Sequence, residues 1–156
     1  MHTESSHFDH HIVCGFGRIG ETLCRRLSHA GEPFVAVDID RERLARAREQ
    51  CGWYCVVGDA MLDDVLIQAG IRRATTLSCF LPTDVSNAFV ALSARMLAPN
   101  LWIIACVRRP GVCKQLRSAG ADHIIDAYER ELKKRAQTIV ELIHKRQSSW
   151  LARLPN

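Results

Sequence analysis

Apolar and polar positions follow two different rhythms along this chain. Unbroken apolar runs at His11–Cys14, Phe34–Asp38 (FVAVD), Cys55–Val57, Thr75–Phe80, Leu101–Val107 and His123–Ile125 are short and rich in β-branched residues. They read as buried strands, covered on both faces. Between them the apolar positions recur at helical spacing. Arg18–Ala30 carries Ile19, Leu23 and Leu27 and stops at Gly31; Asp40 caps a helix through Glu49 with Leu44 and Ala47 inward. Leu62–Ala69 is a short helix closed by Gly70. Pro82-Thr83-Asp84 breaks the fourth strand and caps a helix from Val85 to Leu97, and Pro110 opens another to Ala119, closed by Gly120. Six strands interleaved with helices predict an α/β fold: a doubly wound, parallel six-stranded sheet with right-handed crossovers and helices on both faces.

The last segment differs. From Ala127 to Arg146, Leu132, Ala136, Ile139, Val140 and Ile143 form one apolar stripe, and the opposite face is Lys and Arg. The stripe has two destinations, the chain's own sheet or a partner. Trp150, Leu151 and Leu154 prolong the apolar character and favour the partner, which makes residues 127–156 a basic amphipathic helix and tail and a candidate dimerisation element. The charge has the same origin. Residues 1–126 hold 14 basic and 14 acidic residues, residues 127–156 hold seven and three, and the net +4 therefore sits in the C-terminal segment. A neutral body argues against a nucleic-acid surface. The basic face is a solvated helix face, or else meets an acidic partner or anionic lipid.

With 156 residues, 47% hydrophobic and 24% charged, the chain is one globular domain with no room for a separate substrate domain. No apolar run approaches the roughly 20 residues that span a bilayer, and the start MHTESSHFDHH lacks a basic n-region and an apolar h-region. The expectation is a cytoplasmic domain, or one at the cytosolic face of a membrane. Residues 1–10 read as a flexible N-terminus in which the histidines bind metal at most adventitiously, with His11 beside them. Seven cysteines without a CxxC describe buried, reduced thiols, with Cys51 and Cys55 as the closest pair.

The chemistry lies in Gly15-Phe16-Gly17-Arg18-Ile19-Gly20. This GxGxxG follows a strand and opens a helix, the context the motif needs. Gly15 permits the tight turn, Gly17 lets backbone approach a pyrophosphate, and Gly20 lets helix and strand pack closely. The helix N-terminus and its dipole then hold phosphate charge, and the Arg18 cation at that position suits an anion. Asp38 closes the second strand 18 residues after Gly20, where a carboxylate reaches ribose hydroxyls and repels a 2′-phosphate. Arg41 and Arg43 soften that repulsion. The fold is thus Rossmann-like over residues 11–126. No HExxH, GxSxG, Walker lysine or zinc pattern accompanies it, and neither His29 nor His123 stands in a catalytic setting. Binding without chemistry, in a sensor rather than an enzyme, is the expected reading. The alternative is a small NAD-dependent oxidoreductase subunit; a redox sensor built on the cysteines is a lesser third.

GFGRIG, VAVDIDRER (35–43), VVGDA (56–60), LIQAGI (66–71), PTDVSNAFVALSARMLAPN (82–100), LWIIACVRR and KQLRSAGADHII together resemble the N-terminal lobe of the regulator-of-potassium-conductance domains, the TrkA-N family. The resemblance implies a cytosolic regulatory domain of a potassium channel or transporter membrane subunit, homodimeric or higher, that binds NAD(H) or an adenine nucleotide (ATP, ADP or AMP). It implies phosphate contacts from Gly15 to Gly20, with Arg18 touching phosphate directly, and Asp38 at the ribose. It further implies Asp59 and Ala60 flanking the adenine, Ile39 on its apolar side, and Arg43 and Thr83 as lining. Met61 stands where the family usually has Thr. The helix over 127–146 would correspond to the family's crossover helix, which pairs subunits. The family's second lobe does not follow it, so this is a single-lobed protein or a piece of a larger one.

Overall fold

A computed structural model describes residues 9–127 and 132–151. The elements run β1 (His10–Cys14), α1 (Arg18–His29), β2 (Phe34–Asp38), α2 (Arg41–Cys51), β3 (Cys55–Val57) and α3 (Asp63–Gln68) in the first half. The second half runs β4 (Ala74–Cys79), α4 (Asp84–Leu97), β5 (Trp102–Val107), α5 (Cys113–Ser118), β6 (His123–Asp126) and α6 (Leu132–Leu151). All strand pairs are parallel, in the order β3-β2-β1-β4-β5-β6. The order reverses between β1 and β4. Strands that run the same way must be joined by crossovers, and the helices of those crossovers cover the sheet on both sides.

Two apolar layers result. On one face Ile12, Val35, Val37, Leu77 and Ile103 pack with Leu66 of α3, Val90, Ala91 and Ala94 of α4 and Leu116 of α5. On the other Val13, Ala36 and Ile104 pack with Leu23 and Leu27 of α1, Leu44 of α2, and Ala136, Ile139, Val140 and Ile143 of α6. The last set answers the question that the sequence leaves open. The α6 stripe is covered by its own chain, chiefly α1, and is not free for a partner. Polar contacts fix it there: Glu32 accepts from His144 at 2.8 Å and from Gln147 at 3.3 Å, and the Arg146 guanidinium lies over the Trp102 ring at 5.3 Å. The side chains of Leu132, Trp150 and Leu151, and Leu154 itself, lie outside the described residues, as do residues 1–8 of the expected flexible terminus.

Several boundaries differ from the sequence expectation. β1 begins at His10, one residue before the expected strand, so His10 joins His11 in the sheet and both rings are buried. Their rings find distant partners: His10 Nε2 donates to the Ala69 carbonyl at 2.8 Å. His11 Nε2 donates to Glu32 at 3.4 Å, which leaves Nδ1 to accept from the Thr76 hydroxyl at 2.6 Å. The helix opened by Pro110 splits into a 3₁₀ turn (Pro110–Val112) and α5, and Ala127 lies in a turn after β6 rather than in a helix. Among the described residues no helix is long and apolar enough to cross a membrane.

Candidate functional site

The parallel sheet brings the ends of β1, β2, β3 and β4 to one edge. Cys14 pairs with Val37 and Cys79, and Asp38 pairs with Val57. The residues that follow each strand, namely Gly15–Gly20, Asp38–Ile39, Asp59–Ala60 and Phe80–Thr83, therefore gather at the point where strand order reverses. In open α/β sheets that is where a crevice forms.

Gly15 leaves β1 at φ +92°, donating its N–H to the Val37 carbonyl at 2.8 Å. A Cβ there would meet the Phe80 carbonyl oxygen at 2.5 Å, so only glycine fits between β1 and the end of β4. Gly20 lies in the first turn of α1 against the loop itself: a Cβ would stand 1.8 Å from the Gly15 oxygen. Gly17 is the opposite case. It is the N-cap of α1, with φ −80° and ψ −161°, and a Cβ would have no neighbour within 4 Å. Its openness serves no packing purpose. It leaves the start of α1, where the first backbone N–H groups have no intrahelical partner, approachable by an anion.

Asp38 orders this loop. Its Oδ2 accepts from the Phe16 N–H at 2.6 Å, and its Oδ1 accepts from the Asp40 N–H at 2.8 Å. Each carboxylate oxygen keeps acceptor capacity for a ligand hydroxyl. Arg43, on α2, donates to the Phe16 carbonyl at 3.3 Å and lies 3.5 Å from Asp40. It braces the loop from outside. The Phe16 side chain itself is turned into the core, edge-on to Trp53 at 6.1 Å, so this residue contributes backbone rather than a ring to the crevice. Arg18 is exposed at the start of α1 and Ile19 is half-buried against the core.

The remaining predicted residues divide. Ile39 is 72% exposed beyond β2, an apolar side chain with no packing role in the chain. Asp59 accepts from the Met61 N–H at 2.9 Å and so shapes the turn before α3, while the Ala60 side chain is buried in the core. Thr83 caps α4, its hydroxyl accepting from the Ser86 N–H at 3.0 Å.

Two residues have roles that sequence reasoning did not assign. Asp84 is 3% exposed and accepts from the Arg108 N–H at 2.7 Å and the Arg109 N–H at 3.2 Å. Asn87, one helical turn on, accepts from the Leu81 N–H at 2.8 Å and donates to the Cys106 carbonyl at 2.9 Å. Together they tie the ends of β4 and β5 to the start of α4 and hold that wall of the crevice. The signal was their i, i+3 spacing at a capped helix start, which puts both on one face.

The seven cysteines form no disulfide. Cys14, Cys24, Cys55, Cys79 and Cys106 are buried, Cys113 is half-buried and Cys51 is exposed. Burial, with the Asp38 charge adding, pushes the Cys14 thiol up to about 12, far from the thiolate form. A groove of about 180 Å³ between α1 and α2, lined by Arg25, Arg43 and Arg46 beside Glu21, is too small for a dinucleotide. Among the described residues no group of three metal-ligating side chains converges.

A glycine-rich strand-to-helix turn at the switch point of this strand order, with an acid closing β2, defines a domain of the Rossmann class. The chain belongs to the TrkA-N domain family, whose profile it matches over residues 11–127. It is 37% identical over 121 residues to potassium channel protein 1 of Methanocaldococcus jannaschii, a match covering 77% of this chain and 36% of that protein. This chain thus spans little more than a third of the length of that relative. Its fold is similar to the TrkA-N domain of the inner membrane protein ybaL from Escherichia coli, with TM-score 0.74 at 25% identity over 86% of this chain and 96% of that one. It is also similar to the GsuK channel, solved bound to NAD, with TM-score 0.71 at 29% identity over 78% of this chain and 22% of that one. GsuK has been solved bound to ADP as well.

Proposed function

We propose that this chain is the nucleotide-sensing regulatory domain of a potassium channel or transporter, acting on the cytosolic side of the membrane as a homodimer or higher oligomer. The observation that carries the reading is the free approach to the α1 N-terminus at Gly17, with Asp38 fixed beside it. A phosphate group placed over Gly17 would meet backbone N–H groups, the positive end of α1 and the Arg18 cation. The ribose would lie toward Asp38, and the base between Ile39 and the Asp59–Ala60 turn. The ligands supported are NAD(H) and the adenine nucleotides ADP, AMP and ATP, which share these features; NAD and ADP are the ligands of the solved GsuK structures. NADP is disfavoured because its 2′-phosphate would approach the Asp38 carboxylate.

Ligand binding would bias a membrane partner only through different affinity for two arrangements of paired domains. The domain supplies the binding half of that coupling. Isothermal titration with NAD, NADH, ADP, AMP, ATP and NADP tests the reading. It predicts saturable binding of at least one ligand that lacks a 2′-phosphate, tighter than NADP. Binding of NADP above all others, or turnover of a bound nicotinamide with a second substrate, would contradict it.

A further inference from the structure

The fold fixes the glycine loop on both sides of the Phe16–Gly17 peptide. The ring of Phe16 is 2% exposed and stands edge-on to Trp53 at 6.1 Å. The Phe16 N–H donates to Asp38 Oδ2 at 2.6 Å. On the other side Gly20 is packed so closely on the Gly15 oxygen that no Cβ fits between them. What remains is rotation of one peptide plane, about Phe16 ψ and Gly17 φ. In a trans peptide the carbonyl and the N–H point in opposite directions, so this rotation decides which of the two meets an incoming anion. A flip would carry Gly17 φ from −80° into the positive range, which glycine alone adopts without strain. Gly17 therefore gives its peptide two accessible states.

Arg43 selects between them. Its guanidinium donates to the Phe16 carbonyl at 3.3 Å. With that oxygen held toward α2, the Gly17 N–H points away from α2, and among the described residues none accepts from it. It joins the first N–H groups of α1, which also lack an intrahelical partner. Arg43 is itself anchored by Asp40, which accepts from the Arg43 N–H at 3.0 Å and lies 3.5 Å from its Nε. Asp40 in turn donates its own N–H to Asp38 Oδ1 at 2.8 Å. These bonds close a ring from Phe16 to Asp38, Asp40, Arg43 and back to Phe16, which ties the loop to the first turn of α2. An anion that meets the Gly17 N–H lies on the opposite side of the peptide from Arg43, so the guanidinium serves the loop from behind.

We propose that Arg43 is a positioning residue: it holds the Phe16–Gly17 peptide with its N–H toward the nucleotide phosphate and prevents the flip that would turn the Phe16 carbonyl there instead. This rests on the nucleotide site proposed above, and it moves Arg43 out of the crevice lining that the family resemblance implies. The flipped peptide sets an oxygen lone pair against the phosphate, so the two states differ in affinity for the ligand. Occupancy of the site is thereby linked to the contact between the loop and α2.

The test compares the native chain with Arg43→Ala, Arg43→Lys and Arg46→Ala by two readouts. The first needs no nucleotide: the amide resonance of Gly17 in an isotope-labelled chain. Arg43→Ala should shift or broaden it while the amides of Gly31 and Gly120, in other turns, stay in place. Arg43→Lys keeps a donor and should restore most of the native position, and Arg46→Ala, at an exposed arginine of the same helix, should change nothing. The unmoved amides also show that the variants are folded. The second readout is calorimetric titration with AMP, ADP and NAD. Arg43→Ala should weaken all three by a similar factor of about five- to tenfold, the worth of one hydrogen bond, because all three share the loop contact. A native-like Gly17 resonance or an unchanged affinity in Arg43→Ala would overturn the proposal. A loss that grows with the number of phosphates, with the Gly17 amide unmoved, would make Arg43 a direct contact and overturn it as well. A native chain that binds none of the three would overturn the nucleotide reading and with it the purpose of the latch, while the Gly17 resonance would still report separately whether Arg43 sets the peptide.

Discussion

The glycine loop allows folding and ligand binding to be separated by two substitutions three residues apart. At Gly17 the backbone dihedrals suit any residue and an added methyl meets nothing within 4 Å. Gly17→Ala therefore costs only the poorer N-cap preference of alanine, about 0.5–1 kcal/mol, or a fall of roughly 1–4 °C in Tm for a domain of this size. Its methyl occupies the space above the first N–H groups of α1. Losing one charge-assisted hydrogen bond of about 1.5–3 kcal/mol there weakens nucleotide binding roughly 10- to 150-fold. Gly20→Ala should do the reverse in order of severity. Alanine gains about 1 kcal/mol of helix propensity, but its Cβ would lie 1.8 Å from the Gly15 oxygen, a backbone atom with no freedom to move alone. Overpacking of this kind costs about 3 kcal/mol or more. The net loss of about 2 kcal/mol is roughly 4–8 °C in Tm. Differential scanning calorimetry of both variants, with calorimetric titration of the better binder among NAD and ADP, measures the pair. Gly17→Ala binding within twofold of the native chain, or Gly20→Ala melting with it, would refute the reasoning.

Other expectations follow from the same geometry. Asp38→Asn turns an amide group toward one of the two N–H donors it now serves, so it should cost about 1–3 kcal/mol and bring the NADP and NAD affinities closer; an unchanged melt and ratio would remove Asp38 from the loop. Ile139→Ala should cost about 2–5 kcal/mol in urea denaturation, because Ile139 is the fully buried centre of the stripe by which α6 packs on α1 and the sheet. A loss below about 0.5 kcal/mol would mean that α6 is not docked. Stability should fall on acidification. Burial lowers the His11 imidazole from its ordinary 6.5, with His10 and His144 adding and Glu32 opposing. Burial alone would raise Glu32, but hydrogen bonds from Gln147, His11 and His144 hold it below its ordinary 4.5. Both groups thus bind protons more readily when unfolded. His11's contribution is complete above 6.5 and is lost as pH falls through its lower folded value, and that of Glu32 is lost below 4.5. Glu32→Gln should flatten the lower limb of a Tm-against-pH curve, and an unaltered curve would exclude this cluster as its cause.

The six strands, their parallel sense and the glycine loop were legible because each rests on local pattern: buried parallel strands are apolar throughout, and GxGxxG states its own turn. What escaped depended on distant partners. His10 looks like part of a polar terminus, and His11 like the polar start of a strand, until Ala69, Thr76 and Glu32 are brought beside them by the end of α3, by β4 and by the α1–β2 turn. The α6 stripe announces that something covers it but not what, and α1 proves to be the answer. The predicted site residues gather at one edge of the sheet, but what their side chains do within the fold was only partly visible. Phe16 packs inward, and Thr83 and Asp59 spend hydrogen bonds on capping α4 and shaping the turn before α3, demands that a motif does not display.

The most direct test of the nucleotide site is a thermal-shift titration of the native chain with NAD, NADH, ADP, AMP, ATP and NADP. A ligand that binds only the folded state at 100 times its Kd adds about 2.7 kcal/mol, or roughly 5–10 °C in Tm. The account predicts a saturable shift of that size from NAD(H) or an adenine nucleotide, with NADP weaker and Gly17→Ala strongly reduced. No shift from any of the six would mean that the loop serves the fold alone.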